Sequence, residues 1–221
     1  MKMKKTTLLF TISGALLLLF ILFTAAIANV DVQAIGPLQS SVGFAQANEL
    51  FRELIGVSTG WYKLSELLGF FSIGVMLLFA AIGGIQLFTR KALLKVDSEI
   101  LALGIFYVLV IAAYLIFDAL AINYRPILEE GQLEASYPST HTMLAVCIML
   151  TAILPLKKRL PENAAFAVKV ICIAVAVLTV ISRLLSGVHW FTDIIGGILI
   201  SCTLSVFYYA LAEKLRTALK R

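Results

Sequence analysis

Charge is scarce in this 221-residue chain. Asp, Glu, Lys and Arg together make up 14% of it, against 61% hydrophobic residues. That balance excludes an ordinary soluble domain, whose surface needs far more charge. Histidine is scarcer still, with two residues, His141 and His189, and there are three cysteines. Cys147, Cys172 and Cys202 lie inside apolar runs, without Cys-x-x-Cys spacing and in odd number, so they carry no legible disulfide framework or redox motif. They read as small buried hydrophobes. No His/Cys grouping has metal-ligand spacing, so neither a metal nor a cofactor is expected. Internal repeats and low-complexity segments are absent. No apolar run carries the midplane Gly/Pro interruption of a transporter's broken helices.

What the chain has instead is hydrocarbon. A helix needs about 20 apolar residues to cross roughly 30 Å of bilayer core. Six runs meet that need, approximately 7–29, 65–89, 99–122, 138–156, 164–184 and 190–212. The expectation is an all-α polytopic membrane protein, six spans in one domain over residues 1–221. The longest connection, roughly 30–64, holds a further amphipathic segment. Phe44, Ala47, Leu50, Phe51, Leu54 and Ile55 fall near one helical face, with Gln46, Glu49, Arg52 and Glu53 turned away. It predicts a helix lying flat in the interface, as a cap on the bundle or as a lid for a lipid. Gly83-Gly84 and Gly196-Gly197, inside two runs, predict close helix packing.

The basic residues are lopsided. Lys2, Lys4, Lys5, Arg90, Lys91, Lys95, Lys157, Lys158, Arg159, Lys169, Lys214, Arg216, Lys220 and Arg221 all fall on one side of a six-span layout, 14 of the 18. The positive-inside rule makes that side cytoplasmic, with both termini there. The excess of +5 is therefore a topology signal and an attraction to anionic lipid heads, and no nucleic-acid partner is expected. Three lysines, an apolar stretch and Ala26-Ile27-Ala28 resemble a signal peptide, but the run is longer than a signal core, which favours a retained first helix. The expected setting is the plasma (inner) membrane.

Both histidines fall near the opposite face, with Arg125 and Arg183. His189 and Asp193 are four apart, so on a helix beginning at or before His189 they share a face. The carboxylate then accepts the Nδ1 hydrogen and leaves Nε2 as a nucleophile or base. Arg183, six residues earlier across Ser186-Gly187, is able to grip phosphate oxygens in two-pronged fashion. The plainer reading is an interfacial His–Asp pair beside a snorkelling arginine. Pro138 suits a helix start, with Ser139, Thr140 and His141 in its first turn, where unpaired N–H groups favour an anion. Pro126 is expected to end the third span, which places Arg125 at its outer lip. Chance does not readily place two arginines, a serine, an aspartate and both histidines at one face.

The stretches NYRP (Asn123 to Pro126), YPSTH (Tyr137 to His141) and SRLLSGVHWFTD (Ser182 to Asp193) resemble the type 2 phosphatidic acid phosphatase superfamily, whose pattern runs KxxxxxxRP, PSGH, SRxxxxxHxxxD. The third motif matches fully at Ser182, Arg183, His189 and Asp193. The second matches at Pro138, Ser139 and His141, and the first at Arg125 and Pro126. By motif the resemblance covers residues 118–195. It implies that His189 attacks phosphorus to form a phosphohistidine, that Asp193 orients it, and that His141 protonates the departing lipid oxygen and then activates water. Arg125, Arg183, Ser139 and the Thr140 amide would hold the phosphoryl oxygens, without a metal.

Two positions depart from the pattern. Asp118 stands where the family has lysine, nearly two turns from Arg125, and is able to pair with it and compete with phosphate. Thr140 stands in place of glycine. The resemblance implies a lipid phosphate or diphosphate phosphatase acting at the extracytoplasmic face. A polyprenyl diphosphate, phosphatidic acid and phosphatidylglycerol phosphate are equal candidates as substrate. Two alternatives stay open: a lipid phosphotransferase with the same site, and a non-catalytic lipid-phosphate binder.

Overall fold

The computed structural model describes residues 2–219, with side chains from Lys5 onward. Among the basic residues placed on the cytoplasmic side, the side chains of Lys2 and Lys4, together with Lys220 and Arg221, lie outside the described residues. Seven α-helices are described: α1 (Lys2–Asn29), α2 (Ala45–Ile55), α3 (Thr59–Arg90), α4 (Ser98–Leu120), α5 (Thr140–Lys157), α6 (Glu162–Ser186) and α7 (Phe191–Leu219). All but α2 are long and apolar enough to cross a membrane. The chain is thus all-helical and multi-pass.

α7 lies at the centre, against α1, α4 and α5, while α5 also packs on α6 and α3. Small side chains allow this closeness. Ala145, Cys147 and Ala152 of α5 are fully buried, with Met143, Ile148 and Met149 filling the space between them. The two glycines of α7 face the start of α5. A Cβ on Gly196 would lie 2.2 Å from the Tyr137 ring, and one on Gly197 would lie 3.0 Å from the Ser139 carbonyl oxygen. Of the other pair, Gly83 meets Ile100 of α4, whereas Gly84 faces open space.

The spans alternate in direction, so the bundle has two chemically different ends. One collects α2, the 121–139 loop, and the α5, α6 and α7 termini that bear the histidines. The other collects the basic residues around Arg90, Lys158 and Arg216.

Several local expectations need correction. α2 forms, but Phe44 precedes it in a left-handed conformation (φ 49°). Its buried face carries Ala45 and Asn48, while Leu50 and Leu54 are exposed. Arg52 turns inward, over the Trp190 ring at 5.4 Å, and Phe51 stacks on Phe191 at 3.8 Å. Asn48 fixes the contact by donating to Thr192 Oγ1 (3.0 Å) and accepting from the Thr192 N–H (3.1 Å). These polar bonds set the rotation of α2, which caps the start of α7.

α4 ends at Leu120, well before Pro126, because Ala121 turns left-handed (φ 43°). Arg125 therefore sits in a loop, not at a helix lip. There the chain doubles back as an antiparallel ribbon. Arg125 N–H donates to Glu134 O (3.0 Å) and Ser136 N–H donates to Asn123 O (2.8 Å). α5 begins at Thr140 with Ser139 as its N-cap, so Pro138 lies outside it. Likewise His189 precedes α7. Gly187 ends α6 at φ 69°, and a Cβ there would sit 2.0 Å from Gly56 O. Only a residue without a side chain permits both the turn and the contact.

Candidate active site

The turn at Gly187 brings His189 back beneath Arg183, in the last turn of α6. Arg183 is fully buried and His189 nearly so, at 5% exposure. The Arg183 Nη2 group donates to His189 Nε2 at 3.1 Å. On the other side of the ring, Nδ1 meets Ser136 Oγ at 2.9 Å. The Ser136 hydroxyl in turn donates to Asp193 Oδ2 at 2.5 Å. His189 Nδ1 and Asp193 Oδ2 are 3.9 Å apart, too far for a hydrogen bond. The expected direct His–Asp bond is thus replaced by a relay through Ser136. The reason is the helix start: with α7 beginning at Phe191, His189 and Asp193 are not successive residues of one helical face.

The relay fixes the tautomer. The Ser136 proton is committed to the carboxylate, so its oxygen accepts from Nδ1–H. Arg183 is a donor only, so Nε2 presents its lone pair. Asp193, fully buried, also accepts from Asn123 Nδ2 (3.2 Å) and the Trp190 N–H (3.0 Å). Ser139 N–H donates to its carbonyl at 3.0 Å, which ties the start of α5 to α7.

His189 has its pKa pushed well below the usual 6.5, first by burial, then by the Arg183 and Arg125 guanidinium groups and by His141. Of these groups, Arg183 touches His189 directly, and His141 is joined to Arg183 through Glu66. His141, in the first turn of α5, bonds through Nε2 to Glu66 Oε1 at 3.0 Å. The same oxygen accepts from Arg183 Nη1 at 3.0 Å. Arg183 also donates to Ser65 Oγ (3.0 Å) and lies over the Tyr62 ring at 5.5 Å. Gly69 of α3 makes room for His141, since a Cβ there would lie 3.2 Å from the ring.

Arg125 is held by Glu129, and by Glu134 at 3.3 Å, while Tyr62 donates to Glu129 at 3.1 Å. Asp118 is exposed on α4 and is not among Arg125's partners, so the expected pairing is not made. Thr140 has ordinary helical backbone, which demands no glycine.

Ser139 Oγ, His141 Nδ1, Arg125 Nε and Arg183 Nε are buried without a hydrogen-bond partner among the described residues. Unmet buried donors are costly in a finished core and are expected where an anion binds. The first amides of α5 add to them. Ser136, Asn123 and Glu66 escaped sequence reading: they lie 53 to 117 residues from their partners, and none falls at a motif spacing.

The family model of the PAP2 superfamily matches residues 56–217. Phosphatidylglycerophosphatase B of Bacillus subtilis (strain 168) is 33% identical over 96 residues, 42% of this chain, and the match spans 46% of that relative's length. The crystal structure of the first transmembrane PAP2 type phosphatidylglycerolphosphate phosphatase from Bacillus subtilis is similar in fold, with a TM-score of 0.62 at 22% identity, covering 91% of this chain and 96% of that one.

Proposed function

Because the chain belongs to the PAP2 superfamily, we propose that it is an integral-membrane lipid phosphate phosphatase working through a phosphohistidine at the extracytoplasmic face. The observation that supports this most is the paired placement of His189 Nε2, as a lone pair, beside Arg183. An arriving phosphoryl group draws the guanidinium onto its own oxygens and so frees Nε2 to attack phosphorus. The P–O bond to the lipid breaks as the P–N bond forms, and His141 gives its proton to the leaving oxygen. Water then attacks the phosphohistidine, His141 takes a proton from it, and phosphate leaves. Arg125, Arg183, Ser139 Oγ and the Thr140 amide meet the charge that grows on the oxygens.

Histidine-rich or acidic groups able to hold a metal are not found among the described residues, and the guanidinium groups supply the positive charge. The reading is of one domain in the plasma membrane, with both termini and the basic end cytoplasmic. Among candidate substrates the relatives' names favour phosphatidylglycerophosphate.

The test is phosphate release by the purified protein from short-chain phosphatidylglycerophosphate, phosphatidic acid and a polyprenyl diphosphate, with EDTA present. Release from at least one is expected, and none from any with a folded protein would favour a binder. The pH profile adds a sign. His189's lowered pKa leaves it neutral until the pH falls well below 6.5. The nucleophile's acid limb of kcat/KM thus lies below 6.5, apart from a limb near pH 6 that belongs to the substrate's second ionisation, about 6. A limb at or above 6.5 shared by all substrates would overturn the assignment.

Glu66 has a role of its own in this scheme. It is the carboxylate bonded to His141, and supplies the counter-charge for a protonated ring beside two guanidinium groups. Glu66→Gln is expected to lower kcat by roughly 10- to 100-fold on lipid substrates, and much less on an aryl phosphate whose leaving group needs no proton. Equal losses on both would mean that Glu66 only holds Arg183 in place.

A further inference from the structure

At the end of the bundle away from the histidines, the ends of α4, α5 and α7 frame an open cleft of about 500 Å³. It is lined by charge: Lys95, Lys158, Arg159 and Arg216 face Asp97 and Glu99. A second hollow of about 230 Å³ adjoins it, between α1, α5 and α7, and shares Lys158 and Arg216 with it. The first lies within the roughly 300–1,000 Å³ of ligand sites and the second is somewhat smaller.

The second hollow is built the same way on every wall. Lys5 sits one turn above Leu9 on α1, and Lys158, the residue just past the end of α5, one turn above Leu154. On α7, Arg216 and Glu213 sit one turn above Ala212 and Tyr209. Each helix thus presents charge at the bundle end and an apolar residue four positions deeper. That order matches an amphiphile standing along the membrane normal, head outward and tail in the hydrocarbon.

The sign of the charge chooses the head. Across the two hollows five cations, Lys5, Lys95, Lys158, Arg159 and Arg216, face three carboxylates, Asp97, Glu99 and Glu213. The carboxylates are taken up within the protein: Glu99 by Lys158 at 2.6 Å and Arg159 at 3.5 Å, Asp97 by Arg90 at 2.8 Å and Arg159 at 2.5 Å, and Glu213 by Arg216 at 2.6 Å. With Arg90 counted, six cations meet three carboxylates, and Lys5 and Lys95 have no carboxylate partner among the described residues, so the net positive charge around the ion pairs is complementary to a phosphodiester.

We propose that this end of the bundle holds one acidic phospholipid, its headgroup against Lys5, Lys158 and Arg216 and an acyl chain along Leu9, Leu154 and Tyr209. Bound there, it ties α1 to α5 and α7. The site is separate from the histidine site and does not depend on the reaction assigned to it.

The test uses the full chain in nanodiscs of phosphatidylcholine doped with phosphatidylglycerol, followed by native mass spectrometry of lipid retained in mild detergent. One phosphatidylglycerol per chain is expected, in preference to phosphatidylcholine. Lys5→Gln with Arg216→Gln should weaken its retention about 30-fold, the effect of two surface cations. Leu9→Trp should weaken it too, with every charge kept, by filling the groove. Lys91→Gln with Lys157→Gln, which removes two exposed cations outside both hollows, should leave it unchanged. Phosphate release should be unaffected in all three variants. Equal loss in the control pair, equal retention of phosphatidylcholine, or displacement of the lipid by inorganic phosphate alone would each overturn the proposal.

Discussion

His189→Ala is expected to lower phosphate release by at least about 10⁴-fold, the scale seen when a nucleophile is removed from a site whose other parts remain. The residue is nearly enclosed, its ring is held at both nitrogens, and its lone pair points at the buried guanidinium of Arg183. The other imidazole, His141, has Nε2 on Glu66 and serves the leaving oxygen in this scheme. Quenching in alkaline detergent followed by alkaline digestion of protein labelled from a radioactive lipid phosphate should give phosphohistidine in the native chain and none in His189→Ala. His141→Ala should behave differently. It should still accept label, at a rate lower by roughly 10²- to 10⁴-fold, and the loss should shrink for a substrate with a good leaving group. Label persisting in His189→Ala, or lost equally from His141→Ala with every substrate, would reverse or abolish the assignment of roles. Unchanged helical content and thermal midpoint in both variants would exclude unfolding as the cause.

The six spans were legible because apolar run length maps directly onto bilayer thickness. α3 starts at Thr59, not near 65, because its first turns carry Trp61, Tyr62 and Lys63, whose polar tips suit the interface. His189 and Arg183 stood out for a similar reason: a charged or titratable group in an apolar chain is conspicuous. What stayed hidden depends on three dimensions. A helix running on to Pro126 would put Asp118 near Arg125. The left-handed turn at Ala121 breaks that phase and leaves Asp118 exposed. Apolar periodicity alone turns Arg52 outward, whereas the buried bonds of Asn48 and the face of Trp190 turn it inward. Glu66 lies at the start of a predicted span, where a lone carboxylate reads as a boundary residue. Its partners are 75 and 117 residues away.

Asp193→Asn is expected to cost roughly 10³- to 10⁴-fold in kcat, by analogy with loss of the orienting carboxylate in a hydrolase triad, although the carboxylate does not touch the imidazole. Asp193 Oδ2 accepts from both the Ser136 hydroxyl (2.5 Å) and the Trp190 N–H (3.0 Å), while Oδ1 accepts from Asn123 Nδ2 (3.2 Å). An asparagine has one acceptor oxygen for these three donors, so its amide must face at least one of them. If it faces Ser136, the hydroxyl turns and donates to His189 Nδ1. The ring must then carry its proton on Nε2, where it meets Arg183, itself a donor only. The nucleophile loses its lone pair and two donors confront each other in a buried site. Ser136→Ala removes the relay but leaves the carboxylate 3.9 Å from Nδ1, close enough to favour the same tautomer electrostatically. Its expected cost is smaller, about 10- to 100-fold. Measured under single turnover, the two variants should therefore differ by about ten-fold or more, on the scale of those two effects, with Asp193→Asn the slower. Equal rates would show that the hydroxyl, rather than the charge behind it, sets the tautomer. A rate for Asp193→Asn within ten-fold of the native chain would show that the tautomer is set without Asp193, since Arg183 alone then suffices to keep the proton on Nδ1.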